Sequence, residues 1–206
     1  MRKEIGYLLL LLTLSLFFLD TFYKVFILHA FYRVFWYSTM GLFLISLALI
    51  LENSFIATTS MVALFLIEGI WTVGFFYSFL THNQILSLSS STFDINLRNY
   101  YSLITLYHLI FIPILIFIFT KLKRVNSNGW IGAAAFASVV GFLTYVFGSS
   151  SDNVNCIYST QNCISNIRFL YNIQNPLRII IAVFLLTVFV YIPTNYFLIK
   201  LKARNR

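Results

Sequence analysis

Long apolar runs separated by short polar clusters set the pattern of this chain. Six of them are candidates for membrane-crossing helices, over roughly residues 5–22, 34–51, 54–80, 100–122, 130–147 and 176–201. The first follows Arg2 and Lys3 and ends at Asp20. A basic start and a short apolar core also suit a secretory signal peptide, but no small-residue cleavage site follows, which favours a retained span. Lys24, His29 and Arg33 mark a connection to the second span, with Phe26, Phe31, Tyr32, Trp36 and Tyr37 as an aromatic approach to the interface. Glu52 and Asn53 make a tight turn into the third span, which is long enough to tilt.

Residues 81–99 are polar and serine-rich and read as a surface loop, with room for a short interfacial helix. The fourth span contains His108 and Pro113 and closes on Lys121, Lys123 and Arg124. Ala133, Ala137 and Gly141 recur at four-residue spacing in the fifth, a small-residue stripe that lets two helix backbones approach closely, within the chain or between copies of it. A second long polar loop covers residues 148–175. Pro176 fits the first turn of the sixth helix, and Pro193 inside that helix predicts a kink near Phe189.

Composition turns this pattern into a class. Of 206 residues, 60% are hydrophobic and only 10% charged, with a mean hydropathy of +0.86, far too little charge for a soluble domain of this size. The expectation is an all-α integral membrane bundle of six transmembrane helices forming one domain over residues 1–206. A net charge of +8 would suit nucleic acid, but the basic residues cluster at the ends of apolar runs and form no stripe on a soluble face. That is the anchoring pattern of a membrane protein. With the N-terminus inside, Arg2, Lys3, Lys121, Lys123, Arg124, Lys200, Lys202, Arg204 and Arg206 face the cytoplasm, while Lys24, Arg33, Arg98, Arg168 and Arg178 lie outside. Both termini are therefore expected on the cytoplasmic side of an inner membrane. Cys156 and Cys163 then share an external loop, where they form either a disulfide or two free thiols.

Candidate chemistry centres on LFLIEGIW, residues 64–71, where Glu68 interrupts a long apolar stretch. A carboxyl at that depth costs a few kcal/mol unless it finds a partner or water. His108 in the next, antiparallel span falls at a similar depth, which makes an interhelical pair possible. Such a pair handles protons or binds a ligand, or simply fixes how two helices pack. Asp94 and Arg98 are four residues apart, the spacing of a surface ion pair, and with Asp152, Asn153 and Asn155 could line an external mouth above that pair. Thr105 is a weak nucleophile candidate, since hydroxyls in membrane helices usually bond back to their own carbonyls. No metal cluster, phosphate loop or hydrolase motif is present, and no motif names a cofactor.

Short motifs recur in order from Trp36 to Leu201: Trp36 with Tyr37, Leu51 with Glu52, Glu68 with Trp71, Phe93 with Asp94, Arg98, Ser102 with His108, Asn153 with Asn155, and Pro193 with Thr194. In this order of features the chain resembles a group of uncharacterised bacterial polytopic membrane proteins. It departs from them at Asn195, where a histidine is usual, and at Gly74, where an acid is usual. The resemblance implies a multi-span fold and carries no activity. Three functions follow as expectations: binding or transport of a small molecule or lipid around Glu68 and His108, an intramembrane enzyme acting on a lipid or isoprenoid, or a packing subunit of a larger membrane complex.

Overall fold

Polar and conformationally special residues set the helix ends in the computed structural model, which describes residues 3–27, 29, 31–81, 107–148, 173 and 175–204. Helix α1 spans Lys3–Phe22 and continues into a π turn over Tyr23–Ile27. A short 3₁₀ turn at Phe31–Phe35 leads to α2, Tyr37–Leu51. Glu52 adopts the left-handed conformation (φ 48°), and the Asn53 Oδ1 accepts the Phe55 and Ile56 amides at 2.8 and 3.3 Å, capping α3, Ser54–Thr81. This is the tight turn expected at Glu52 and Asn53.

Helix α4 covers His108–Lys121 and α5 covers Gly129–Phe147. The last helix, α6, runs over Leu177–Arg204 and loosens into a π turn at Thr187–Tyr191. Pro193 has no N–H to give and crowds the carbonyl four residues back, at Phe189, so the disturbance falls where that proline places it. Among the described residues there is helix and no strand.

Among the described residues, four helices are long and apolar enough to cross a membrane: Tyr7–Ile27, Ser54–Tyr77, Gly129–Phe147 and Leu177–Arg204. The other two apolar helices, α2 and α4, are shorter, at 15 and 14 residues. Helix α3 is the central element and packs on α2, α4, α5 and α6, while α1 packs on α2. Half of the apolar window of α3 is buried by the chain itself, against 17% for α1 and α6, so the outer helices turn their apolar faces away from the bundle.

Between helices in lipid the hydrophobic effect gives little, because lipid tails are as apolar as leucine. Close packing and polar bonds decide instead. On α5, a Cβ at Gly132 would collide with Thr59 Oγ1, and one at Gly129 with Thr58 Cγ2, so the α5 backbone lies directly against the threonine side chains of α3. Ala133, Ala137 and Gly141 are buried within the same chain, so the close approach expected of that stripe is used inside the protomer. The long polar segments carrying Asp94, Arg98, Asn153, Asn155, Cys156 and Cys163 lie outside the described residues.

One charge sits differently from expectation. Lys24 does not mark a connection: the first helix runs on through it, and the side chain is buried to 1% exposure. Asp20, one helical turn earlier, neutralises it and allows the apolar segment to continue to Ile27.

Candidate functional site

Helix geometry gathers the polar interior into one layer. Tyr37 stands at the opposite end of α2 from Leu51, Glu68 lies mid-way along α3 from Ser54, His108 begins α4 opposite Lys121, and Tyr191 lies midway along α6 from Arg204. At 1.5 Å per residue each is roughly 20 Å from its respective helix end. Those ends converge, since Ser54, Arg124–Asn128, Ile199, Lys202 and Ala203 line one shared pocket. The four side chains therefore occupy a common level.

Three groups of polar contacts fill that level. In the first, Lys24 Nζ donates to Asp20 Oδ2 at 2.7 Å and to Thr39 Oγ1 at 2.5 Å, and Thr39 Oγ1 donates to the same Asp20 oxygen at 2.7 Å. This closed triangle joins α1 to α2, with the ammonium 4.9 Å from the Trp36 ring centre. In the second, the hydroxyls of Tyr37 and Tyr191 lie 2.9 Å apart and join α2 to α6, while Tyr37 also donates to the Ala63 carbonyl at 3.4 Å. In the third, Ser38 Oγ and the Tyr107 hydroxyl are 3.1 Å apart. Tyr107 stacks on His108 with ring centres 4.3 Å apart, and His108 stacks on Trp71 at 4.2 Å.

Glu68 lies among these groups, 2% exposed and within electrostatic reach of Tyr37 and Tyr107. Its Oε2 has no hydrogen-bond partner among the described residues. The expected pairing with His108 is not made: both side chains are buried, but Trp71, one turn along α3 from Glu68, takes the face of the imidazole. Two buried carboxyls thus meet opposite fates. Asp20 Oδ2 accepts from a cation and a hydroxyl, whereas Glu68 Oε2 has no partner among the described residues.

The Asp20, Lys24 and Thr39 triangle escaped the sequence reading. Its signal was the LDTFYK fragment, an acid and a base at the four-residue spacing that places them on one helix face. No group of three or more potential metal ligands assembles among the described residues. The Tyr37–Tyr191 bond should be worth little more than an ordinary interhelical hydrogen bond. Tyr191→Phe is therefore expected to lower stability by about 0.6–1.5 kcal/mol, measured by unfolding of the purified protein in detergent, because Tyr37 keeps the Ala63 carbonyl as its acceptor.

These features define a class: a chain whose described residues are all-α, with four helices among them able by length and composition to cross a membrane, compatible with a multi-pass membrane protein, and organised around a buried polar layer. No family model, no curated protein and no solved structure matches the chain.

Proposed function

We propose that this chain is a six-span bundle of a bacterial inner membrane, with both termini in the cytoplasm, that binds or moves a small molecule or lipid through the polar layer around Glu68. The observation that carries the reading is the open Glu68 acceptor, buried to 2% exposure beside Tyr37, Tyr107 and Trp71. A carboxyl in that position is costly to an empty protein and useful to one that takes up a ligand offering a positive charge or a hydrogen-bond donor. The Asp20–Lys24 pair, already satisfied, is the structural counterpart that holds α1 and α2 around it.

Orientation rests on charge. Lys121, Lys123, Arg124, Lys200, Lys202 and Arg204 share the end of the bundle where α4 and α6 finish. With Lys24 neutralised in the interior, the opposite end keeps fewer free cations than a plain residue count suggests, which strengthens the positive-inside argument for both termini. The 15-residue α2 and 14-residue α4 cross in this reading with flanking help, α2 from the Phe31–Phe35 turn and α4 from the preceding Tyr107.

Native mass spectrometry on protein purified through a lipid and metabolite extract tests the reading. The wild type is expected to retain a small-molecule or lipid adduct that Glu68→Gln loses, while Glu68→Gln unfolds at the same temperature or higher because no existing bond is broken. A strongly lowered unfolding temperature with no change in adducts would instead assign Glu68 a structural role.

A further inference from the structure

The end of the bundle opposite the polar layer's aromatic stack holds a pocket of about 600 Å³ between the start of α3, the α4–α5 loop and the end of α6. Its polar wall consists of Ser54, Arg124, Asn126, Ser127, Asn128 and Lys202, and among the described residues no acidic one lines it. Val125, Ile199 and Ala203 supply an apolar side.

This wall is held in shape from below. Thr58 Oγ1 on α3 accepts the Asn126 amide at 3.0 Å, the Asn195 side-chain amide on α6 donates to the Ser127 carbonyl at 2.7 Å, and Asn126 Oδ1 accepts the Asn128 amide at 2.9 Å. The seven-residue loop between α4 and α5 is thus tied to two different helices. Lys202 Nζ donates to the carbonyls of Phe119 and Thr120 at 3.0 and 3.3 Å, which positions the ammonium at the pocket and leaves its third proton for another acceptor. Arg124 is exposed and makes no ion pair with the described residues, so its whole guanidinium fork is available. The N-terminal ends of α3 and α5 both reach the pocket at Ser54 and Asn128, and their dipoles add positive potential to that of the two cations.

We infer that this pocket binds a phosphate-bearing anion, with Arg124 and Lys202 holding the phosphate and Val125, Ile199 and Ala203 receiving the group esterified to it. Charge and donor type select phosphate or a close analogue. The volume is several times what a bare phosphate ion needs, and the apolar side gives the remainder a function, so the phosphate carries a substituent. A phospholipid headgroup and a free phosphoester share this chemistry. The site is separate from the Glu68 layer by roughly 20 Å of helix, and it stands whether or not that layer takes a ligand.

Two titrations of the full-length purified protein test the inference and separate the sources. In the first, nanodiscs containing phosphatidylglycerol or phosphatidylcholine are compared by native mass spectrometry of the released protein for retained lipid. In the second, glycerol phosphate and inorganic phosphate are compared with chloride at equal ionic strength for a rise in unfolding temperature. Arg124→Gln is the informative variant, since the side chain is exposed and holds no other group. Lys200→Gln is its control: it removes the same charge from the same end of the bundle, but Lys200 sits 4.5 Å over the Tyr196 ring and lines no part of the pocket. Arg124→Gln is expected to weaken retention or the thermal shift about tenfold, and Lys200→Gln less than twofold. Retained anionic lipid without a response to soluble phosphoester identifies a headgroup, and the reverse identifies a free phosphoester. Equal losses in the two variants would mean a diffuse basic face and would overturn the inference, as would the absence of any response in both titrations.

Discussion

Lys24→Met is expected to destabilise the protein by about 3–5 kcal/mol, although the sequence marks this residue only as part of a connection. The size follows from burial. An exposed Asp–Lys pair at four-residue spacing contributes well under 1 kcal/mol, but Lys24 and Asp20 are 1% and 2% exposed, and removing the cation strands the anion in an apolar interior. Thr39 would remain as the single donor to Asp20. The double variant Asp20→Asn, Lys24→Met removes both charges and is expected to recover most of the loss, because the cost lies in the uncompensated charge and not in the missing bond. Chemical unfolding in detergent, followed by helical circular dichroism, measures both. Equal losses in the single and double variants would show that the triangle contributes through packing and not through charge.

Gly132→Ala is expected to cost about 1–3 kcal/mol, a large effect for one methyl group. The new Cβ would meet two Thr59 atoms, colliding with Oγ1 and standing 3.0 Å from Cγ2, and would also stand 3.0 Å from Phe55 Cζ, so these α3 side chains must give way. Thr59→Ala removes both atoms. Its hydroxyl has no partner among the described residues, so that change by itself should be within about 0.5 kcal/mol of neutral, and combined with Gly132→Ala it should restore most of the stability. Failure of the combined variant to recover, in the same unfolding assay, would mean that the α3–α5 contact tolerates no methyl group there for reasons beyond Thr59.

Both expectations concern interhelical contacts, and it is there that the sequence was least legible. The apolar runs located five of the helices to within a few residues of their ends, because length and hydropathy are properties of the segment itself. The Glu52–Asn53 turn and the disturbance before Pro193 were equally local, each set by the conformational limits or hydrogen-bonding capacity of single residues. Lys24 was misplaced because a lone lysine ends an apolar run in any one-dimensional count. The rule fails when an acid one turn back and a hydroxyl on another helix neutralise it.

Glu68 shows the same division. That it is buried was determined by the sequence alone, since a carboxyl in the middle of LFLIEGIW has nowhere else to go on a helix. Whether it is paired depends on helix rotation and register, and depth arithmetic constrains neither. His108 reached the right level but turned its face to Trp71, and the polar bonds that might have served Glu68 went to Asp20 and between Tyr37 and Tyr191. Sequence by itself determined that this is an apolar helical chain and that Glu68 is buried in it. Tertiary structure decided which carboxyl finds a partner among the described residues, and it brought Arg124 and Lys202 to one pocket, because those outcomes are set by how side chains on different helices meet.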